Sequence, residues 1–171
     1  MENIYFNQTW NLYLHYKDLG SCYNENMEKL MEISDIITFW QTFNNIPKSP
    51  EIFSDGINKK VMKRNNATPC SYSFFRKEIH PSWEDPCNSN GFELSIKNNR
   101  NFYNFHNIWV NSIVELLTDK DEYNIINGIR MVDCTKYNSV TYRIEFWVSD
   151  ENFKDTIEEI LKTKYWNVQN G

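Results

Sequence analysis

Residues 80–96 read HPSWEDPCNSNGFELSI, a polar loop that holds an indole, Trp83, directly before two carboxylates, Glu84 and Asp85, and then runs into a strand. An indole face attracts flat, positively charged rings through stacking and cation–π attraction. With acids beside it, the set suits a pocket for a flat cationic ring. The competing role is a loop anchor, in which Trp83 packs down onto the domain while Glu84 and Asp85 face water. Enzymatic motifs are absent: the chain carries no phosphate-binding glycine loop, no G-x-S-x-G and no H-E-x-x-H. His80 and Cys87 share the loop, but their spacing carries no nucleophile–base mechanism. Cys22, Cys70, Cys87 and Cys134 have no C-x-x-C spacing, and only His15, His80 and His106 could join them, which speaks against zinc. The expectation is a binding protein, not an enzyme, with no metal and no cofactor.

The elements that must position this loop follow from periodicity. Residues 9–16, TWNLYLHY, alternate as a strand with Trp10, Leu12 and Leu14 on one side, and KDLG reads as a turn. Residues 34–44, SDIITFWQTFN, predict a helix capped by Ser34 or Asp35 and ended by Ile46-Pro47. PCSYSFF and GFELSIK are strands on either side of the loop. Residues 101–119 give the strongest helix, with Phe102, Phe105, Trp109, Ile113 and Leu116 on one face. NGIRMVDC and VTYRIEFWV read as a hairpin across TKYNS. ENFKDTIEEILKT predicts a helix with acids in its first turn and lysines in its last, and YWNV a closing strand. This order predicts an α+β fold, one antiparallel sheet with helices on one face and the other face free for a site.

Length and composition bound the rest. The 171 residues are 40% hydrophobic and fit one domain with a sizeable core. No apolar run is long enough to cross a bilayer, and MENIYFNQTW lacks the features of a signal peptide, so the chain is expected inside the cell with free thiols. A net charge of −5 and a pI near 5.2 argue against gripping long stretches of nucleic-acid backbone, though not against a short terminal feature. Residues 48–68 form the one low-order stretch. Lys59, Lys60, Lys63 and Arg64 there suit a solvated loop or contact with RNA backbone.

The stretch CSYSFFRKEIHPSWED resembles a signature of the mRNA cap-binding translation initiation factor 4E family, with its Cys-x-Tyr-Ser-x-Phe strand and Ile-x-Pro-x-Trp-Glu-Asp loop. FWQTFNNI is similar to that family's first helix, FHNIWVNSIVELL to its second, and EFWVSDEN to its last strand-to-helix junction. The resemblance runs from about Trp10 to Lys164. It implies a curved antiparallel sheet with about three α-helices on the convex face and a cap-binding slot on the concave side. It also implies binding of the 7-methylguanosine 5′ cap, whose flat cationic base is sandwiched between aromatic faces while a carboxylate accepts the guanine N1–H and amine together. Trp83 then matches one stacking face, Glu84 the carboxylate and Trp147 the methyl contact. The second face falls on Tyr23, as in the 4E-homologous repressor branch. For the cap phosphates the matches are Lys136 and Arg143, with Arg130 in reserve, because the family's arginine falls on Cys134. The chain ends at Gly171, before the family's usual last strand.

A second site is implied on the helices. Ile36 and Trp40 with Val110 and Val114 match the surface that takes a Tyr-x-x-x-x-Leu-hydrophobic helix of the scaffold factor 4G or of a repressor, and Asn111 stands where the family has an acid. Ile36, Phe39, Trp40 and Phe43 share one arc that would equally serve a core. The expected protein is a cytoplasmic or nuclear monomer that binds capped mRNA and recruits the scaffold in translation initiation. The alternatives are a cap-binding translational repressor, or a partner-binding module with weak or lost cap affinity.

Overall fold

The computed structural model describes residues 2–17, 26–53, 67–98, 100–118, 120–135 and 139–170, with side chains up to residue 164. Strands β1 (Tyr5–Lys17) and β2 (Met27–Asp35) precede helices α1 (Ile36–Asn45) and α2 (Ser49–Ile52). Strands β3 (Thr68–Arg76) and β4 (Phe92–Asn98) flank the Trp83 loop, helix α3 (Phe102–Leu116) follows, and β5 (Ile126–Asp133), β6 (Tyr142–Val148) and α4 (Lys154–Asn170) complete the order. The strands form one curved, six-stranded antiparallel sheet in the order β2-β1-β3-β5-β6-β4.

Local chemistry sets the ends of the helices. The Asp35 carboxylate accepts from the Thr38 backbone N–H at 2.9 Å and the Thr38 hydroxyl at 2.8 Å, which caps α1 at its start. Those bonds hold the Asp35 carboxyl below its ordinary range. Pro47 follows Ile46, where α1 stops. Asn101 caps α3 through the Asn104 N–H at 3.0 Å.

The predicted face of α3 is buried as expected: Phe105, Trp109 and Ile113 are fully enclosed, and Phe102 and Leu116 nearly so. They pack with Phe39 and Phe43 of α1, Ile157 and Leu161 of α4, and Trp10, Leu12, Leu14, Tyr72, Phe74, Ile129 and Ile144 of the sheet. All the helices therefore cover one sheet face. Two expectations need correction. YWNV, residues 165–168, continues α4 and forms no closing strand, so the lysines around 162–164 no longer occupy the helix's last turn. Residues 27–35, which carried no strand expectation, form the edge strand β2. The 48–68 stretch holds the short α2, and its basic residues Lys59, Lys60, Lys63 and Arg64 lie outside the described residues.

The opposite face reads directly from the register. One row runs Asn11, Phe75, Gly128, Trp147, Glu93 across the strands; the next is Tyr13, Ser73, Arg130, Glu145, Ser95; the third is His15, Ser71, Val132, Arg143, Lys97. This face is richer in polar and charged groups than the one under the helices. It carries the candidate site.

Candidate functional site

The Trp83 loop is held by its own polar residues. The Asp85 carboxylate accepts from the His80 N–H at 2.7 Å and the Cys87 N–H at 2.8 Å. The Asn88 amide donates to the carbonyls of His80 and Ser82, both at 2.9 Å, and Asn127 of β5 donates to the Cys87 carbonyl and the Asn88 side chain. Asn88 and Asn127 are buried, so each lost bond would leave a costly unpaired group. Gly91 lets the loop re-enter β4, because a Cβ there would lie 1.9 Å from the Val148 carbonyl oxygen. These bonds leave Trp83 and Glu84 facing outward, with Trp83 43% exposed. The loop-anchor alternative, in which Glu84 and Asp85 both face water, thus fails for Asp85: Asp85 builds the loop, and Glu84 is exposed.

Trp83 does not stand alone. Its ring stacks on Trp147 with centroids 4.1 Å apart and planes 15° apart, and Trp147 is buried at 2% exposure. Phe75 meets Trp147 edge-on at 5.4 Å, and Gly128 makes room for Phe75, whose ring would lie 2.4 Å from a Cβ. At 4.1 Å the two indoles are in contact, so no base fits between them. Trp83 nevertheless keeps enough exposed surface for a flat ring on its far side.

Beneath the stack lies a buried charge network. The Glu145 carboxylate, 1% exposed, accepts from the Trp147 indole N–H at 3.1 Å and the Arg130 guanidinium at 3.2 Å, and is also bonded by Arg143. Arg130 donates to the Ser71 hydroxyl at 3.1 Å and sits 5.7 Å from the Trp147 ring centroid. Arg143 also faces Glu93 at 3.9 Å. Burial raises the Glu93 carboxyl above its ordinary range, and the Glu145 charge adds to this. Burial alone would lower the Arg143 pKa, but the Glu145 and Glu93 carboxylates outweigh it and hold it above the ordinary arginine value. Two cations and two carboxylates thus neutralise each other under the aromatic stack.

Of the residues expected to read a cap, the structure brings Trp83, Trp147 and Glu84 to one end of the sheet face, and puts Arg143 two rows farther along β6 from Trp147. Arg130, the reserve cation, is tied to Glu145 and Ser71. Tyr23 and Lys136 lie outside the described residues. On the helical side Trp40 is 43% exposed, while Ile36, Val110 and Val114 are half-buried against the core. Phe43 meets Trp109 at 5.6 Å, which sets α1 beside α3.

The family model for eukaryotic initiation factor 4E matches residues 5–168, nearly the whole chain. The chain belongs to that family. Among 4E relatives, the eukaryotic translation initiation factor 4E of Candida albicans is 26% identical over 148 residues, covering 82% of this chain. This chain spans 62% of that relative's length. Two solved 4E structures share the fold: C. elegans eIF4E-3 in complex with the 4E-binding protein Mextli and a cap analog, and schistosome eIF4E complexed with m7GpppG and 4E-BP. Their TM-scores are 0.74 and 0.73 at 15% and 21% identity, covering 95% and 96% of this chain and 86% and 82% of theirs.

Within this 4E chain, the sequence reasoning missed Asn88, Asn127 and Glu145. A signal existed for Glu145. An acid in the middle of RIEFW and a base in the middle of GIRMV are unusual within strands otherwise so apolar, and their register makes them opposite neighbours. Asn88 and Asn127 carried no such mark, because asparagine is ordinary both in a polar turn and near the start of a strand.

Proposed function

We propose that this protein binds the 7-methylguanosine 5′ cap of mRNA at Trp83 and takes a partner helix on α1 and α3, as a monomeric cytoplasmic member of the 4E family acting in translation initiation. The observation that carries the reading is the outward presentation of Trp83 and Glu84 on one rigid loop, with Trp147 packed behind the indole. A methylated guanine stacks on the exposed side of Trp83, and Glu84 accepts its N1–H and exocyclic amine together. Tyr23 serves as the opposing face and the phosphates extend toward Arg143 and Lys136; Trp147, expected at the methyl group, instead backs the stacking indole, since Trp83 lies between it and a base on the exposed side. The schistosome relative, solved with m7GpppG and 4E-BP, supports both halves of this reading. The second face is Trp40 with Ile36, Val110 and Val114, offered to a Tyr-x-x-x-x-Leu-hydrophobic helix. Tyrosine at position 23 favours a cap-binding repressor as the second reading.

Glu84→Gln tests the cap half. A neutral amide offers one acceptor and sets its own NH₂ against guanine donors, so affinity for 7-methyl-GTP should fall roughly 10- to 100-fold, as for a lost charged hydrogen-bonding pair. The melting temperature should not move, since Glu84 is exposed. Unchanged affinity in a folded variant would remove Glu84 from the site.

A further inference from the structure

Glu145 lies in the middle of β6, 1% exposed, with Ile144 and Phe146 on either side in the chain. Removing a carboxylate and its guanidinium partners from water costs free energy that their mutual attraction only partly offsets, and well-packed apolar residues of similar volume often serve a fold as well or better. Stability therefore does not explain why β5 and β6 set Arg130 opposite Glu145. What the pair touches does. The Glu145 carboxylate accepts the Trp147 indole N–H at 3.1 Å, and the Arg130 guanidinium lies 5.7 Å from the Trp147 ring centroid. Trp147 in turn carries Trp83, with centroids 4.1 Å apart and planes 15° apart.

These contacts build a column. Glu145 and Arg130 stand at its inner end, the Trp147 ring comes next, and Trp83 follows with its outer side open. A charge-assisted bond to the indole N–H fixes the inner ring's orientation, and so the seat of the outer one. A base stacked outside Trp83 adds roughly 4.5 Å to the 4.1 Å between the indoles, which sets it on the order of 9 Å from the Trp147 ring. Protein fills most of that gap, so salt screens it weakly. At an effective dielectric of about 20, one unbalanced charge at that distance changes the binding of a cation on the order of tenfold, and of a neutral ring far less. Arg130 alone would be such a charge, and of the wrong sign for a cationic base. Glu145 cancels it, while Arg143, also bonded to Glu145, is faced by Glu93 at 3.9 Å.

We propose that Glu145 is a specificity-determining residue: its buried carboxylate seats Trp147 and is the counter-charge to Arg130, which keeps the Trp83 stack open to a base with a fixed positive charge. Glu145 does not touch the base and acts through the two indoles and through the field. The ligand class is a flat heteroaromatic cation, and a neutral purine is nearly indifferent to the same charge. The proposal rests on the cap reading of Trp83.

The experiment titrates the full chain, Glu145→Gln, Arg130→Met and the double variant with 7-methyl-GTP and with GTP, beside a thermal melt of each. The triphosphate is common to both ligands, so the ratio of the two affinities isolates the charge on the base. Glu145→Gln leaves one surplus cation under the stack and should cut that ratio about 5- to 10-fold. Arg130→Met leaves one surplus carboxylate and should raise it several-fold. The double variant restores neutrality, and its ratio should return to within about twofold of wild type. A merely structural Glu145 would weaken both nucleotides alike, with an unchanged ratio and no recovery in the double variant; that result would overturn the proposal while leaving the cap reading in place. If Glu145→Gln fails to fold, Arg130→Met decides alone, and an unchanged ratio in that folded variant overturns the proposal. A wild-type chain that binds both nucleotides equally would remove the cap reading and this inference together.

Discussion

At the scale of single residues, some side chains of the Trp83 loop face the proposed ligand and others hold those that do. Trp83 and Glu84 sit on a loop whose shape depends on Asp85. Asp85→Ala should cost about 1–3 kcal/mol by orphaning two backbone N–H groups, and lower the melting temperature by a few degrees. It should also weaken 7-methyl-GTP binding several-fold, because Trp83 loses its footing without being altered. Asp85→Asn, which keeps one acceptor, should fall between. A variant with normal melting and normal affinity would show that Asp85 does not shape the loop. The tryptophan and its carboxylate were legible in the sequence, since SWED is local. The support from Asn127 was not, because that bond spans 40 positions and only strand pairing brings the ends together.

At the scale of elements, hydrophobic periodicity located most helices and strands and failed where burial was slight. The α3 face and the alternation in β1, β3, β5 and β6 all point into one core, so their patterns were strong. In β2 only Ile33 and Asp35 are buried, and its lysine and glutamates are what a solvent-facing edge strand carries, so nothing marked MEKLMEISD as a strand. YWNV has strand-forming residues, but no glycine or proline separates it from α4, and the helix runs through. Periodicity also left α1 ambiguous between core and partner surface. The structure divides that arc, with Phe39 and Phe43 buried and Trp40 43% exposed. Trp40→Ala should therefore weaken a Tyr-x-x-x-x-Leu peptide by more than about 2 kcal/mol, as interface tryptophans commonly do. Its melting temperature and cap affinity should change little. Calorimetry with the peptide, beside a thermal melt, checks this, and a large loss of stability would return Trp40 to the core.

At the scale of the whole molecule, two histidines are buried on opposite sides of the sheet. Burial, then the Arg130 charge, pushes His15 down to about 2, and burial, then Lys48, pushes His106 down to about 4. Neutral His106 accepts the Ser49 backbone N–H at 3.2 Å, which ties α2 to α3, and His15 bonds the Ser73 hydroxyl beside the charge network. Both stay neutral in the fold and protonate near 6.5 once unfolded, so above that pH they add no pH dependence. As pH falls below 6.5 the unfolded state takes up protons that the fold cannot, down to about 4 for His106. Stability should drop by up to roughly 4 kcal/mol between pH 6.5 and 5, at about 1.4 kcal/mol per unit for each group. Urea unfolding at the two pH values measures this, and His106→Gln should remove about half of the loss; a flat profile would contradict the burial of both rings. On the proposed reading one sheet face takes the ligand and one helical face the partner, and the first of these is the central claim. Tryptophan fluorescence titration of the wild-type chain with 7-methyl-GTP and with GTP tests it most directly. Stacking on Trp83 with cation–π attraction predicts at least about tenfold tighter binding of the methylated nucleotide. Equal affinity for the two would contradict it.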